Sequence, residues 1–207
     1  MAQFKYSIYL VFFLLLFPSG KTYGNAQSPI ETVKASNESI LDLYRLSPET
    51  DEHVFREIIT IMDKVTDYEA MANSAMQTIC PKKNEKLCGT IRQQFIESLK
   101  LTATTKLGRY RADRFEYLGE EVTAQQSLVK TIAYFKDDSI QLNYILEQKD
   151  GDWRIVNYVV NDVDTIRNYQ RQFKRIVDKE THAGLLRRLH NKNEQYRAER
   201  EKSKNQT

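Results

Sequence analysis

The sequence predicts an α+β domain in which several helices pack on a curved antiparallel sheet of about four strands. Three observations carry that prediction. Apolar residues recur every third or fourth position up to Leu107, switch to alternate positions between Arg114 and Val160, and return to helical spacing from Val163 onward. Helical and extended segments are therefore segregated along the chain, not alternated as they are in a parallel-sheet fold.

Residues 30–46 read as a first helix with Ile40, Leu41, Leu43 and Leu46 available for packing. Ser47-Pro48-Glu49 ends it and starts a second, in which Val54, Ile58, Ile61, Met62 and Val65 lie on one buried stripe. Residues 67–79 begin on an Asp cap and carry Met71, Ala75, Met76 and Ile79, a composition suited to close packing. The longest helical segment spans 85–107. Along it Leu87, Ile91, Phe95, Leu99 and Thr102 follow one face, while Arg92, Gln93, Glu97 and Lys100 keep to wetter sides. Gly108 weakens the helix just before the junction Tyr110-Arg111-Ala112-Asp113.

Beyond that junction the period is two. Residues 114–118 form a short strand ended by a Gly119-Glu120-Glu121 turn, and residues 126–135 and 140–148 meet at Lys136-Asp137-Asp138-Ser139 as a hairpin. In the second arm Ile140, Leu142, Tyr144 and Leu146 project to one face and Gln141, Asn143 and Glu147 to the other, the pattern of a half-buried antiparallel strand. Asp150-Gly151 supplies a tight turn into a strand over 153–160. Ile166, Tyr169, Phe173, Ile176 and Val177 then cover a core face of a helix; Gly184 interrupts it, and Leu185, Leu186 and Leu189 dock a final short one. Residues 191–207 are almost wholly polar, and their end is expected to fray.

The first 26 residues have the composition of a secretory signal. Lys5 precedes an apolar run from Ile8 to Phe17, Pro18 and Gly20 interrupt it, and Gly24-Asn25-Ala26 offers a small-residue cleavage site. A membrane span needs about 20 apolar residues and this run is roughly half that. The expected organisation is a signal over 1–26, one domain over 27–190 and a polar tail over 191–207. Loss of Lys5 and Lys21 with the signal takes 31 basic residues to 29 against an unchanged 28 acidic ones. That balance argues against nucleic acid as a partner, which calls for a concentrated basic surface. Twelve Tyr, nine Phe and one Trp favour a folded core over disorder.

Cys80 and Cys88 flank a seven-residue segment. In an oxidising compartment they read as a disulfide that staples the entry to the long helix, with two free thiols as the alternative; no third Cys or nearby His in the sequence completes a metal set. His53, His182 and His190 fit no nucleophile or metal spacing, and the abundant acids single out no catalytic pair. No glycine-rich phosphate loop is present. The expectation is a protein that is not an enzyme and carries no cofactor or metal.

A long amphipathic helix beside a curved sheet leaves a cleft if their side chains do not interdigitate completely. Phe95, Leu99, Leu107, Tyr110, Leu128, Ile132, Tyr134, Leu142, Tyr144 and Tyr158 are the candidates to line it, and a filled core is the competing reading of the same periodicity. Arg109, Arg111 and Arg114 cluster where helix gives way to sheet. They could meet a phosphate headgroup or an acidic partner, or could simply form a solvated, ion-paired junction.

The chain resembles the periplasmic phospholipid-binding component of the Mla transport system, the toluene-tolerance family with its hopanoid-associated relatives. The resemblance rests on Phe95-Ile96-Glu97-Ser98-Leu99, residues 110–117, Gly151-Asp152-Trp153-Arg154-Ile155-Val156, Asn168-Tyr169-Gln170-Arg171-Gln172-Phe173 and Gly184-Leu185-Leu186. These segments fall in the expected order over residues 32–190. The resemblance implies a helical subdomain against a strongly curved sheet, with a hydrophobic cavity for acyl chains between them. It further implies a soluble periplasmic carrier of phospholipid or a hopanoid-like lipid. Such a carrier works between an outer-membrane lipoprotein complex and the substrate-binding component of an inner-membrane ABC transporter, with a monomer as the default state. Under that resemblance Trp153 and Phe173 support the fold and do not touch lipid. Asn157 and Asn161-Asp162 depart from the acidic residue and Glu-Gly pair common in the family. A non-enzymatic periplasmic protein-interaction module is the alternative function.

Overall fold

The computed structural model describes residues 27–47, 52–80 and 85–204, so the expected signal over 1–26 lies outside them. Four helices come first: α1 (Pro29–Leu46), α2 (Glu52–Val65), α3 (Tyr68–Met76) and α4 (Glu85–Arg109). Five strands follow, β1 (Arg114–Val122), β2 (Gln126–Phe135), β3 (Asp138–Lys149), β4 (Asp152–Val160) and β5 (Val163–Asp164), and α5 (Thr165–Lys204) closes the chain. The strands form one antiparallel meander in the order β1-β2-β3-β4-β5. Among the described residues no helix is long and apolar enough to cross a membrane.

Local chemistry sets the element ends. Ser28 caps α1 by accepting from Glu31 N, with Pro29 at the first helical position, where a missing N–H costs nothing. Asp67 caps α3 by accepting from Ala70 N at 3.0 Å. Two hairpins turn through residue pairs with both φ positive, Asp150 (54°) with Gly151 (92°) and Asn161 (46°) with Asp162 (63°). That geometry matches the right-handed twist of the flanking strands and favours Gly, Asn and Asp. Asn161 and Asp162 are therefore residue types this turn favours.

Three elements differ from the sequence expectation. β1 does not stop at Leu118 but runs on to Val122, because Gly119, at φ 125°, takes up a bulge where the register with β2 shifts. A second shift lies between Ile145 and Leu146 opposite β4, and the two irregularities bend the sheet. The fifth strand, two residues long, was too short to be read from periodicity. The interruption expected at Gly184 falls three residues earlier: Thr181 (φ 69°, ψ 172°) leaves helical geometry, so α5 is two helical stretches joined at a kink, the second running to Lys204.

Gly184 is needed for that kink to close. A Cβ there would stand 2.6 Å from Glu180 Cβ, too near for two carbons. Gly184→Ala is accordingly expected to destabilise by about 1–3 kcal/mol in urea unfolding, although alanine is the better helix former. An unchanged or raised midpoint would show that the turn through Thr181 relaxes freely.

The core divides into three clusters. One is helical, built from α3, α4 and α5 around Met71, Met76, Ile91, Phe95, Phe173 and Leu185. The second joins Val33 of α1 to the sheet residues Val129, Tyr144, Leu146, Trp153 and Ile155. In the third, Ile40, Leu41 and Tyr44 of α1 meet Val54, Ile58 and Met62 of α2, with α4, β1 and β4 on its margin. Tyr158 packs against all three clusters. A disulfide joins Cys80 to Cys88 at the entry to α4.

Candidate functional site

Strand alternation divides the candidate lining residues between two faces. Tyr144 pairs with Val129 on one side and Tyr158 on the other, so these three share a face with Leu142, two positions along β3. This is the face that meets the helices. Leu128 pairs instead with Ile145, and Ile132 and Tyr134 follow it at two-residue steps; all three project from the opposite, outer face. Tyr134 is occupied there: the Arg114 guanidinium lies 3.5 Å from its ring centroid, and its hydroxyl donates to Glu116 Oε2 at 2.7 Å. Sequence reasoning merged the two faces because it grouped residues by apolar character before fixing the register.

The helical candidates separate as well. Phe95, 0% exposed, and Leu99 sit in the helical cluster. Phe95 meets the edges of Tyr169 and Phe173 at centroid distances of 4.8 Å each, a filled packing. Trp153 and Phe173 are likewise buried in the core. Leu107, three turns further along α4, packs on the margin of the third cluster, as Phe115 and Ala112 do. Tyr110 is 58% exposed, immediately past α4.

The third cluster is less completely buried at its margin than at its centre. Its centre, between α1 and α2, is closed, but its members from α4 and the sheet, Ala103, Leu107, Ala112, Phe115 and Tyr158, remain only half-buried. Leu142, on the same sheet face, is also half-buried. These apolar side chains are less enclosed than Phe95 and its helical neighbours.

Behind this margin lies a band of neutral hydroxyls whose pairing periodicity does not show. Tyr144 OH donates to Asn37 Oδ1 at 3.0 Å, Asn37 Nδ2 donates to Tyr117 OH at 3.2 Å, and Tyr158 OH lies 3.3 Å from Thr66 Oγ1. Tyr44 OH donates to the Leu107 carbonyl at 2.7 Å, tying α1 to the end of α4. Burial raises the pKa of Tyr158 to about 12 and pushes Tyr44, Tyr68 and Tyr144 higher still. The band therefore carries no charge near neutral pH. Asn37 was legible in principle: it lies four residues after Val33 and three before Ile40, on the buried stripe of α1.

Of the three arginines, the two whose side chains are described, Arg111 and Arg114, do not converge. Arg111 Nη1 donates to the Ser47 carbonyl at 3.0 Å and its guanidinium lies over the Tyr44 ring, so it braces α1. Arg114 is engaged with Tyr134 and, at 3.9 Å, with Glu116 on the outer face. The Arg109 side chain lies outside the described residues. As for metals, Cys80, Cys88 and His182 gather within 4.8 Å, but both sulfurs are consumed by their mutual bond, and His182 Nε2 contacts the Ile79 carbonyl. With no thiolate to offer, the group is a structural staple.

An antiparallel meander with helices packed on its inner face, and a partly accessible apolar margin where α4 meets β1 and β4, defines an α+β protein. The comparisons give that class its family. The chain belongs to the MlaC family, whose model, described as MlaC protein, matches residues 34–191. Its fold is similar to that of the phospholipid-binding protein from Ralstonia solanacearum, solved in complex with a phospholipid. That likeness has a TM-score of 0.64 and 18% sequence identity, covering 80% of this chain and 96% of that one. No curated protein matches the chain.

Proposed function

We propose that this protein is a soluble periplasmic carrier that shields the acyl chains of phospholipid, or of a related hopanoid-like lipid, in the cleft bounded by Leu107, Leu142, Tyr144 and Tyr158. In this reading residues 1–26 direct export, and the carrier exchanges lipid between an outer-membrane lipoprotein complex and the substrate-binding component of an inner-membrane ABC transporter. It acts as a monomer and performs no chemistry on its cargo. The observation that carries the reading is the half-buried apolar wall shared by α4 and the inner sheet face. Membership of the MlaC family and the fold shared with a phospholipid-bound protein support it.

The energetics suit a carrier. Removing a methylene from water contributes about 0.8 kcal/mol, so a sixteen-carbon chain gains roughly 12 kcal/mol over water. Against a bilayer interior that gain nearly cancels, so the lipid can be carried and still released. Direction has to come from partners, since a hollow stores no energy. The uncharged phenols under the cleft accept hydrocarbon without the desolvation cost of an ionised group.

Native mass spectrometry of gently purified mature protein tests the proposal. An adduct that leaves intact on denaturation, with the mass of a membrane lipid, is the expected result. Leu142→Arg, a charge on the inner wall, is expected to cut the lipid-bearing fraction at least tenfold, about 1.4 kcal/mol. Leu128→Arg, on the outer face, should leave the load unchanged, with the fold of both variants checked by circular dichroism. Equal loss in both variants would place the lipid elsewhere. Protein free of lipid from several membrane-containing preparations would favour a protein-interaction module.

A further inference from the structure

We propose that a basic groove between the end of α3 and the first half of α5 is a docking site for an acidic segment of a partner protein. The groove is a recess of about 480 Å³ with Thr78 on one wall and Gln170, Arg171, Lys174, Arg175 and Lys179 on the other. Arg171, Arg175 and Lys179 are spaced four apart and so line a single face of α5. The one acid at the groove, Asp178, is already satisfied: both of its oxygens accept from Lys174 Nζ, at 3.0 and 2.8 Å. Among the described residues Arg171, Arg175 and Lys179 have no ion-pair partner. The whole chain carries only a formal +3, so this is a local concentration and does not follow from general basicity.

The groove is preformed. The opposite side of α5 is anchored through Ile166 and Phe173 in the helical cluster. Gln170 Nε2 donates to the Ser74 carbonyl at 2.8 Å, which fixes α5 to α3. The Thr78 wall is held by the Cys80–Cys88 bond and by His182 against Ile79. Unpaired cations along one face of an anchored helix are complementary in charge to a protruding Asp- or Glu-bearing segment. The site lies by the N-terminal end of α4. Along that helix, Cys88 and Leu107 are separated by about 28 Å at 1.5 Å per residue. A partner seated in the groove leaves the apolar cleft unobstructed. Charges arranged in this way chiefly speed and orient encounter, so binding weakens with salt.

Fluorescence anisotropy of a labelled twelve-residue peptide of alternating Glu and Gly tests this on the intact protein. The expected result is saturable binding that weakens as salt rises. Arg171→Glu with Arg175→Glu should weaken it at least tenfold, and the equal charge change Arg56→Glu with Lys64→Glu on α2 should alter it less than twofold. Equal weakening by both double variants would overturn the groove in favour of undirected electrostatics. Binding to phosphatidylglycerol vesicles with none to the peptide would overturn the protein partner. The inference stands apart from the carrier reading: the lipid load of Arg171→Glu/Arg175→Glu, measured by native mass spectrometry, should equal that of the parent protein even as peptide binding falls.

Discussion

Phe95→Ala is expected to lower the unfolding free energy by about 3–5 kcal/mol, the range for removing a large aromatic from a closed core. The ring is fully buried, its neighbours Met76, Ile91 and Leu185 are as tightly enclosed, and two aromatic rings meet it edge to face. Collapse around the vacancy is resisted because three helices converge there and Tyr169 and Phe173 also contact each other, at 5.6 Å. Urea unfolding followed by circular dichroism provides the measurement. A loss under about 1 kcal/mol would mean that this end of the molecule is loosely filled, and it would return Phe95 to the candidates for lining a lipid hollow.

The second large effect is expected at Asn193→Ala, with a loss of about 2–3 kcal/mol. Asn193 is 0% exposed in a helix surface that is otherwise polar. Its Oδ1 accepts from Ser98 Oγ at 2.5 Å, and its Nδ2 donates to the Gln94 carbonyl at 3.0 Å, with Gln94 Oε1 and Glu97 Oε2 at 3.3 and 3.4 Å. Truncation removes the acceptor buried against Ser98 Oγ, which keeps only its 3.0 Å bond to the Gln94 carbonyl, and leaves a polar-lined void in its place. A double-mutant cycle with Ser98→Ala isolates the pair, and the double variant should lose less than the sum of the two singles. Strict additivity would show that Asn193 is held by packing alone.

Asn193 also marks where the sequence was hard to read. Residues 191–204 carry almost no apolar stripe, and periodicity can see a helix only through the face it buries. The contacts that hold this segment are polar: Asn193 to α4, Arg197 to Glu97, and Arg200 to Glu52 at 2.7 Å with its guanidinium over the Phe55 ring. The helix therefore runs through the first turns of the polar tail to Lys204, while the tail's end, residues 205–207, lies outside the described residues. By contrast α1 to α4 were legible because each buries an apolar stripe or opens on a cap, and the β2–β3–β4 meander because alternate residues are apolar and Asp150-Gly151 announces its turn.

The candidate site was legible in part. Leu142, Tyr144 and Tyr158 share a face because parity along a strand and a paired register fix it. Leu128, Ile132 and Tyr134 could not be separated from them without the pairing of β2 with β3, since a shift of one residue exchanges the faces. Phe95 and Leu107 lie on the same helix twelve residues apart, and only the tertiary arrangement shows that one sits in the helical cluster and the other on the margin of the third. Arg111 and Arg114 separate for a similar reason: neighbours in sequence at a helix-to-strand junction point in unrelated directions.

The covalent bond between Cys80 and Cys88 sits at the end of the molecule whose interior is already solid. The far end of α4 is held to α1 without any covalent bond, by the hydrogen bond from Tyr44 to the Leu107 carbonyl and by apolar contact. The covalent tie and the non-covalent one thus anchor opposite ends of one helix.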